Sequence, residues 1–392
     1  MSKTNRTQDY VPSTSGSAAA VKQPKKKKKG SGLLGRIIRR FFLLLFTVVI
    51  LAVVALCMVM NVVFNGPSPA ARELLTMALI EASATKWVPA LFIGEDGVAE
   101  IRQAKGSALT EEMSNTSEIV INVGSAISAT NDEWANYPDG IRIESYPGDT
   151  YNAHIMIVRD PSQVFMGIST QNGFSTAIPG TRITEAMEEN PDVIAAINAG
   201  AFLDDGSAGS HVGSHPLGLV VSEGKTVWTS GSQPGLTGFA GFTKDNILVV
   251  SKNNLTQAEA EAQGIRDGCC FGPVLIMNGE INQEAYNTNS GLNPRTAIGQ
   301  RKDGAVIFVC IDGRQASSMG GTYGDIIDIM VEYGAYNACN MDGGSSSVMM
   351  YRDQYGIYGE AGQVQMINNY SLLQSQPRRM PNYWMVRGAS EE

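Results

Sequence analysis

The chain has 392 residues, 43% hydrophobic and 17% charged, which is ample apolar material for a sizeable core. Its net charge of −8 hides an asymmetry: residues 1–40 carry eleven Lys and Arg against one Asp, and setting that +10 aside leaves −18 on the remainder. So acidic a remainder excludes a general nucleic-acid-binding role, and it would repel an anionic polymer unless local arginines held the phosphates.

The N-terminal region predicts a membrane protein. Residues 1–30 are rich in Ser, Thr and Lys and have little reason to fold. Residues 41–60 are apolar and uncharged throughout, long enough to cross a hydrocarbon core of roughly 30 Å as a helix. Lys22, Lys25 to Lys29, Arg36, Arg39 and Arg40 all precede that run, so the positive-inside rule keeps the N-terminus in the cytoplasm and exports everything after Asn65. A cleaved signal peptide is the rival reading, with Asn65-Gly66-Pro67-Ser68-Pro69-Ala70 as a poor cleavage site. The expected organisation is a basic cytoplasmic tail over 1–40, a single transmembrane helix over 41–64, a partly helical stalk over 65–117 and a globular domain over 118–392. Within the stalk, residues 87–93 are apolar enough to dock on something.

Beyond the stalk, many short strand candidates and few helices predict an α+β fold, a β-rich mixed-sheet domain. Val193-Ile194-Ala195-Ala196-Ile197 ends in Asn198-Ala199-Gly200-Ala201-Phe202, and Ala305 to Ile311 ends in Asp312-Gly313-Arg314. Both are continuous apolar runs, as suits strands covered on both faces. Val274 to Ile281 carries Asn278-Gly279, a strong two-residue hairpin signal. Thr322 and Asp325 fit a capping box, Ile326, Met330 and Tyr333 recur at helical spacing, and Gly334 is placed to end that helix. A strand over 335–341 follows and delivers Asn340-Met341-Asp342-Gly343-Gly344-Ser345-Ser346-Ser347. There a carboxylate stands where backbone leaves the sheet, and two glycines let the chain turn sharply and bring N–H groups close to a ligand. If these strand ends lie side by side, Asn198, Asp312, Arg314 and Asp342 converge on one rim. Arg295 is presented from a segment restricted by Pro294.

Cys269 and Cys270 are vicinal, while Cys310 and Cys339 sit in the runs leading to Asp312 and Asp342. The spacing fits no zinc pattern; Cys310 and Cys339 could touch if those strands are neighbours, but they read as buried core thiols. His154 lies in an apolar run and reads as a core or rim residue. His211 and His215 follow the Asn198 motif closely enough to reach a site as acid/base groups, and Asp204-Asp205 in the same loop reads as solvated, so no metal or cofactor is expected.

Asn198-Ala199-Gly200-Ala201-Phe202, Gly272-Pro273-Val274-Leu275, Pro294-Arg295-Thr296-Ala297-Ile298-Gly299, Asp312-Gly313-Arg314 and Asp342-Gly343-Gly344-Ser345-Ser346 resemble, in that order, the phosphodiester glycosidase family. Arg379-Met380-Pro381-Asn382 resembles it more weakly. Ala199 and Ala201 replace a glycine and a phenylalanine of the family's first motif, and Ser345 replaces a third glycine. The resemblance implies cleavage of sugar-1-phosphodiester bonds, of the GlcNAc-1-phosphate type, through an oxocarbenium-like state. It implies catalysis by Asp342, Asp312 and Arg295, with Asn198, Gly200, Arg314, Gly343, Gly344, Ser345 and Ser346 binding substrate. Which carboxylate is nucleophile or base stays open, because their separation decides it: about 5 Å favours retention and roughly 6.5 to 9.5 Å inversion. A bacterial surface enzyme trimming exopolysaccharide or cell-wall polymers of the teichoic-acid kind fits the anchor. A non-catalytic glycan-binding module, or a transferase acting on lipid-linked phosphoglycan, are the alternatives.

Overall fold

The structure is a computed structural model that describes residues 33–80, 85–102, 109–121, 133–169, 174, 179–203, 213–230, 236–370 and 376–388. The chain divides between Val59 and Met60 into two units. Helix α1 (Leu33–Asn65) contains the apolar run and is long and apolar enough to cross a membrane, which fits an anchor or a signal sequence. Two further helices, α2 (Pro69–Ile80) and α3 (Val88–Arg102), follow and pack on each other. Residues 109–115, which the sequence places in the stalk, are woven into the globular part. Leu109 is buried in its core, and the Ser114 N–H donates to the Val250 carbonyl at 2.9 Å.

Seventeen described strands form three sheets whose pairings are all antiparallel. The first contains β1 (Ile141–Pro147), β2 (Asn152–Val158), β10 (Val274–Met277), β11 (Glu280–Ile281), β12 (Arg295–Arg301), β13 (Val306–Ile311) and β14 (Ala335–Met341), in the order β1-β2-β13-β12-β14-β10-β11. The second contains β3 (Val164–Ile168), β4 (Val193–Asn198), β15 (Met349–Arg352), β16 (Val364–Met366) and β17 (Asn382–Arg387), in the order β16-β15-β4-β17-β3. The third contains β5 (Leu219–Ser222), β6 (Lys225–Thr229), β7 (Phe239–Thr243), β8 (Leu248–Ser251) and β9 (Ile265–Cys270), in the order β6-β5-β9-β7-β8. Among the described residues four α-helices accompany the sheets: α4 (Ile183–Glu189), α5 (Gln257–Ala262), α6 (Gln283–Asn287) and α7 (Tyr323–Glu332). This is the expected α+β, β-rich architecture.

Continuous apolar strands arise because both faces of the sheets are covered. On β13, Val306, Phe308 and Cys310 enter a central core shared by all three sheets, while Ile307, Val309 and Ile311 meet α7 through Ile326, Ile327, Ile329 and Met330. With successive side chains alternating faces, every position of such a strand must be apolar. The second sheet is covered on its other side by α4 through Ile183 and Met187, and the third has a smaller outer cluster containing Ala260 of α5. Local chemistry agrees with the elements. Thr322 accepts from the Asp325 N–H while Asp325 reaches back to the Thr322 N–H, closing the capping box of α7. Asn278 and Gly279, both at positive φ, join β10 to β11 in the expected hairpin.

Cys310 and Cys339 lie on the two strands that flank β12, opposite Thr296 and Ile298 respectively, and are free thiols. Cys269 and Cys270 are likewise free and buried. Burial pushes the Cys270 thiol up to about 11 and holds Cys269, Cys310 and Cys339 well above the ordinary thiol range. These four thiols should therefore resist iodoacetamide at pH 8 in the folded chain and react together only on denaturation. Rapid alkylation of any of them in the native protein, read by mass spectrometry, would contradict this packing.

Candidate active site

Asp342 immediately follows β14, and three groups fix the turn behind it. Its N–H donates to the Ala199 carbonyl at 3.0 Å, its carbonyl accepts from Asn198 Nδ2 at 2.6 Å, and its Oδ1 accepts from the Gly343 N–H at 2.9 Å. Asn198 ends β4 in a different sheet and is fully buried. Its Oδ1 accepts from Thr296 Oγ1 at 2.9 Å and from the Val348 N–H at 3.1 Å, so one amide ties β4, β12 and both flanks of the 342–348 turn together. Gly344, at φ +63°, donates its N–H to the Pro294 carbonyl at 2.8 Å. Gly200 next to the Asn198 clamp is needed for close approach, since a Cβ there would stand 2.9 Å from Cys269 Cβ.

The Asp342 turn opens on a cleft of about 520 Å³. Phe202, Leu217, Leu236, Phe271 and Pro273 supply an apolar lining, and Thr237, Tyr323 and Asp342 supply polar groups. Asp342 is the one carboxylate among the described residues that line it. A concave cleft that joins aromatic and aliphatic walls to placed polar groups is a usual form of a small-molecule site.

The other expected residues divide into those at this rim and those behind it. Arg314 is exposed, at φ +58°, and donates through Nη2 to Asn293 Oδ1 at 3.2 Å. Its guanidinium lies against Gly344, where a Cβ would come within 3.3 Å of Nη2. Ser345 Oγ accepts from Arg378 Nη1 at 3.2 Å, and its carbonyl accepts from the Tyr370 hydroxyl. Desolvation raises the Tyr370 phenol above its ordinary value, which keeps it a donor there. Ser346 is buried, with its Oγ making no hydrogen bond in the structure. Cross-strand register places Thr296 opposite Met341, hence Arg295 beside Asp342. Yet Arg295 is 4% exposed and donates through Nε to the Gly321 carbonyl at 3.1 Å and through Nη2 to the Ser290 and Gly291 carbonyls at 2.6 and 3.1 Å. Its guanidinium lies 4.4 Å from the centre of the Tyr323 ring and so buttresses a wall of the cleft.

Asp312 is not brought into the cleft. It is 1% exposed, and its Oδ2 lies 3.1 Å from His154 Nε2 and accepts from Asn369 Nδ2 at 2.8 Å. Its Oδ1 accepts from the Asn369 N–H at 2.9 Å. The physical reason is topological: β12 separates β13 from β14, so the ends of those strands are not neighbours, and Asp312 meets β2 and the 368–370 segment instead. That segment in turn holds the 345–349 turn, through Tyr370 to Ser345, Asn368 Nδ2 to the Ser347 carbonyl at 3.3 Å and the Met349 N–H to Asn368 Oδ1 at 2.8 Å.

His215 packs edge-on against Trp228, ring centres 4.7 Å apart, while His211, Asp204 and Asp205 lie outside the described residues. Among the described residues no group of three or more His, Cys, Asp or Glu is placed to hold a metal ion. Sequence reasoning missed Tyr323, Tyr370 and Arg378. Arg378 stands 4.7 Å over the Phe202 ring as well as on Ser345, and its one sequence signal is its place directly before Arg379. Arg379 itself is committed to Glu185, at 2.8 and 2.9 Å.

The structure thus sets one carboxylate on a turn between two sheets of an α+β domain, with Arg314 and Arg378 against the residues that follow it. The chain belongs to the phosphodiester glycosidase family, whose model matches residues 191–387, from the turn before β4 to the end of β17. A relative from Bacillus subtilis (strain 168), the SPbeta prophage-derived uncharacterized protein YomE, is 28% identical over 176 residues, 43% of this chain. The matched stretch spans 26% of that protein's length. Among solved structures, the catalytic domain of zebrafish N-acetylglucosamine-1-phosphodiester alpha-N-acetylglucosaminidase, auto-inhibited by its pro-peptide, is 22% identical with a TM-score of 0.49, covering 65% of this chain and 85% of that one. A protein from Burkholderia pseudomallei K96243 described as exported is 15% identical with a TM-score of 0.41, covering 60% of this chain and 74% of that one.

Asn198→Ala should be among the most damaging substitutions, because it strips partners from the Asp342 carbonyl, the Thr296 hydroxyl and the Val348 N–H inside a dry core. The expected loss is roughly 2–4 kcal/mol at about 1–3 kcal/mol per unsatisfied buried group. Thermal denaturation of the detergent-solubilised chain measures it, and a melting point within about 1 °C of the parent would show the clamp to be dispensable.

Proposed function

We propose that the chain is an extracytoplasmic, membrane-tethered glycosidase that hydrolyses sugar-1-phosphodiester bonds, of the GlcNAc-1-phosphate type, in cell-surface polysaccharide or teichoic-acid-like polymers. The observation that carries this is the place of the Asp342 carboxylate in a cleft with aromatic walls, with Arg314 and Arg378 both on the adjoining Gly344-Ser345 turn. A sugar-1-phosphodiester needs two things of its enzyme. One is a carboxylate at the anomeric carbon or its attacking water, and the other is cationic support for the departing phosphate. A phosphate leaves readily as an anion, so the strong general acid of an ordinary glycosidase is dispensable. One cleft carboxylate therefore suffices.

In this reading Asp342 acts at the sugar carbon, and Arg314 and Arg378 take the phosphate oxygens, a task suited to the planar guanidinium fork. The aromatic walls from Phe202, Phe271 and Tyr323 offer apolar faces to a sugar ring. Asp312, Asn198 and Arg295 act from behind, as positioning residues for the 342–348 turn and for Tyr323. The acidic domain surface keeps polymer binding local to the two arginines, and α1 with its basic N-terminal flank supports display of the domain outside the cell.

Asp342→Asn keeps the shape of the side chain and removes its charge, so turnover of a GlcNAc-1-phosphodiester should fall at least about a hundredfold, the scale of positioned acid/base groups, without a change in melting point. Activity within a few-fold of the parent would reduce Asp342 to a turn residue.

Bond cleavage itself is read in oxygen-18 water. Attack at the anomeric carbon places the label in the free sugar and leaves the phosphate with its original oxygens. Label in the phosphate would mean attack at phosphorus and would sink the glycosidase reading. The phosphate is the decisive product, because a reducing sugar slowly exchanges its anomeric oxygen with solvent.

A further inference from the structure

We infer that His154 is a positioning residue for the phosphate side of the cleft, acting through Asp312 and the segment Asn368-Asn369-Tyr370; this rests on the reading that Arg314 and Arg378 take the phosphate. The three side chains of that segment divide between two tasks. Asn368 and Tyr370 bond the 345–349 turn, and Asn369 between them bonds Asp312. Tyr370 reaches both halves of one arginine contact: its hydroxyl donates to the Ser345 carbonyl and accepts from the Arg378 N–H at 3.2 Å. Arg378 in turn donates to Ser345 Oγ. Gln315, next to Arg314, donates through Nε2 to the Asn369 carbonyl at 2.7 Å. The segment therefore touches the chain beside each of the two arginines.

Its own fastening runs through one buried carboxylate. Asp312 is 1% exposed, and among the described residues it pairs with no Lys or Arg. Three N–H groups are aimed at it, two from Asn369, at 2.9 and 2.8 Å, and one from His154, whose Nε2 is 3.1 Å from Oδ2. An ionised carboxylate only accepts, so Nε2 is the donor of that bond. Two of the three donors belong to the segment being held, which leaves His154 as the one side-chain anchor on the sheet. On β2 it stands opposite Ser145 of β1 and Cys310 of β13, so neither neighbouring strand sets a charged side chain across from it.

Without the His154 N–H a buried charge is short of a donor, a costly state that the exposed Asn369 relieves by moving out with the carboxylate. The turn around Ser345 would then lose its backing. Asp342 is fixed by other groups, namely Asn198, Ala199 and the Gly343 N–H. Loss of the anchor is thus expected to weaken phosphate binding while the carboxylate keeps its place, which raises KM and spares kcat.

The test is steady-state kinetics of the detergent-solubilised full chain on a methyl diester of GlcNAc-1-phosphate, with calorimetry of inorganic phosphate binding. His154→Phe should raise KM and the phosphate Kd about tenfold, the scale of one hydrogen bond to a charged group, with kcat within about twofold of the parent. His154→Gln, which keeps an N–H where Nε2 stands, should restore the parent values. Asn369→Ala alters an exposed side chain and should reproduce the rise in KM; it decides the matter if His154→Phe fails to melt cooperatively. An unchanged KM in Asn369→Ala, a fall in kcat at constant KM, or a His154→Gln variant as impaired as His154→Phe would overturn the inference and leave His154 a packing residue. Weakened phosphate binding in the variants of a parent that turns over no diester would sink the glycosidase reading and keep the inference. A parent that neither binds phosphate nor turns over the diester would sink both.

Discussion

The site depends on one buried amide. Asn198 closes β4 of the second sheet, yet its side chain serves the first, donating to the Asp342 carbonyl and accepting from Thr296. A third bond, from the Val348 N–H, captures the returning end of the same turn. In a dry core each of these groups is costly to leave unpaired, so the three bonds hold the sheets in one relative position. The position of the Asp342 carboxylate is then a consequence of sheet packing, as a preorganised site requires.

Around that clamp the charged residues fall into two functional kinds. Asp312 and Arg295 are turned inward and saturated by protein groups, the first by His154 and Asn369, the second by three carbonyls and an aromatic face. An ionised group buried in this way is tolerable only because its hydrogen bonds are satisfied, and its effect on the cleft is exerted through what it holds. Arg314 and Arg378 instead lie against the Gly344-Ser345 turn, the first exposed and the second half-buried. On the proposed function, this arrangement would keep attraction for an anionic substrate local in an otherwise acidic domain.

Helix α2 and the support of the Tyr323 wall meet at one loop of the domain. The loop around Ser290 and Gly291 supplies carbonyls to Arg295 on one side and receives α2 on the other.

Local chemistry sufficed to identify many elements from the amino-acid sequence alone. The Thr322 and Asp325 capping box, the Asn278-Gly279 hairpin, the strand ending at Met341, the apolar span of α1 and the sharp Asp342-Gly343-Gly344 turn are each set by neighbours in the chain, and all stand where the sequence places them. The ordered motifs also sufficed for the family. Only the tertiary structure decided which polar residues face the cleft. Asp312 and Asp342 end similar apolar strands and look alike in sequence, but β12 lies between those strands, so one carboxylate meets His154 while the other meets solvent-accessible space. Asn198 and Arg295 read as ligand contacts because hydrogen-bonding capacity is visible in a sequence and its consumption by distant backbone is not. Tyr323 and Arg378 carried no motif of their own. Their roles come from long-range pairings, of Tyr323 with Arg295 and of Arg378 with Phe202 and Ser345, which no local pattern encodes.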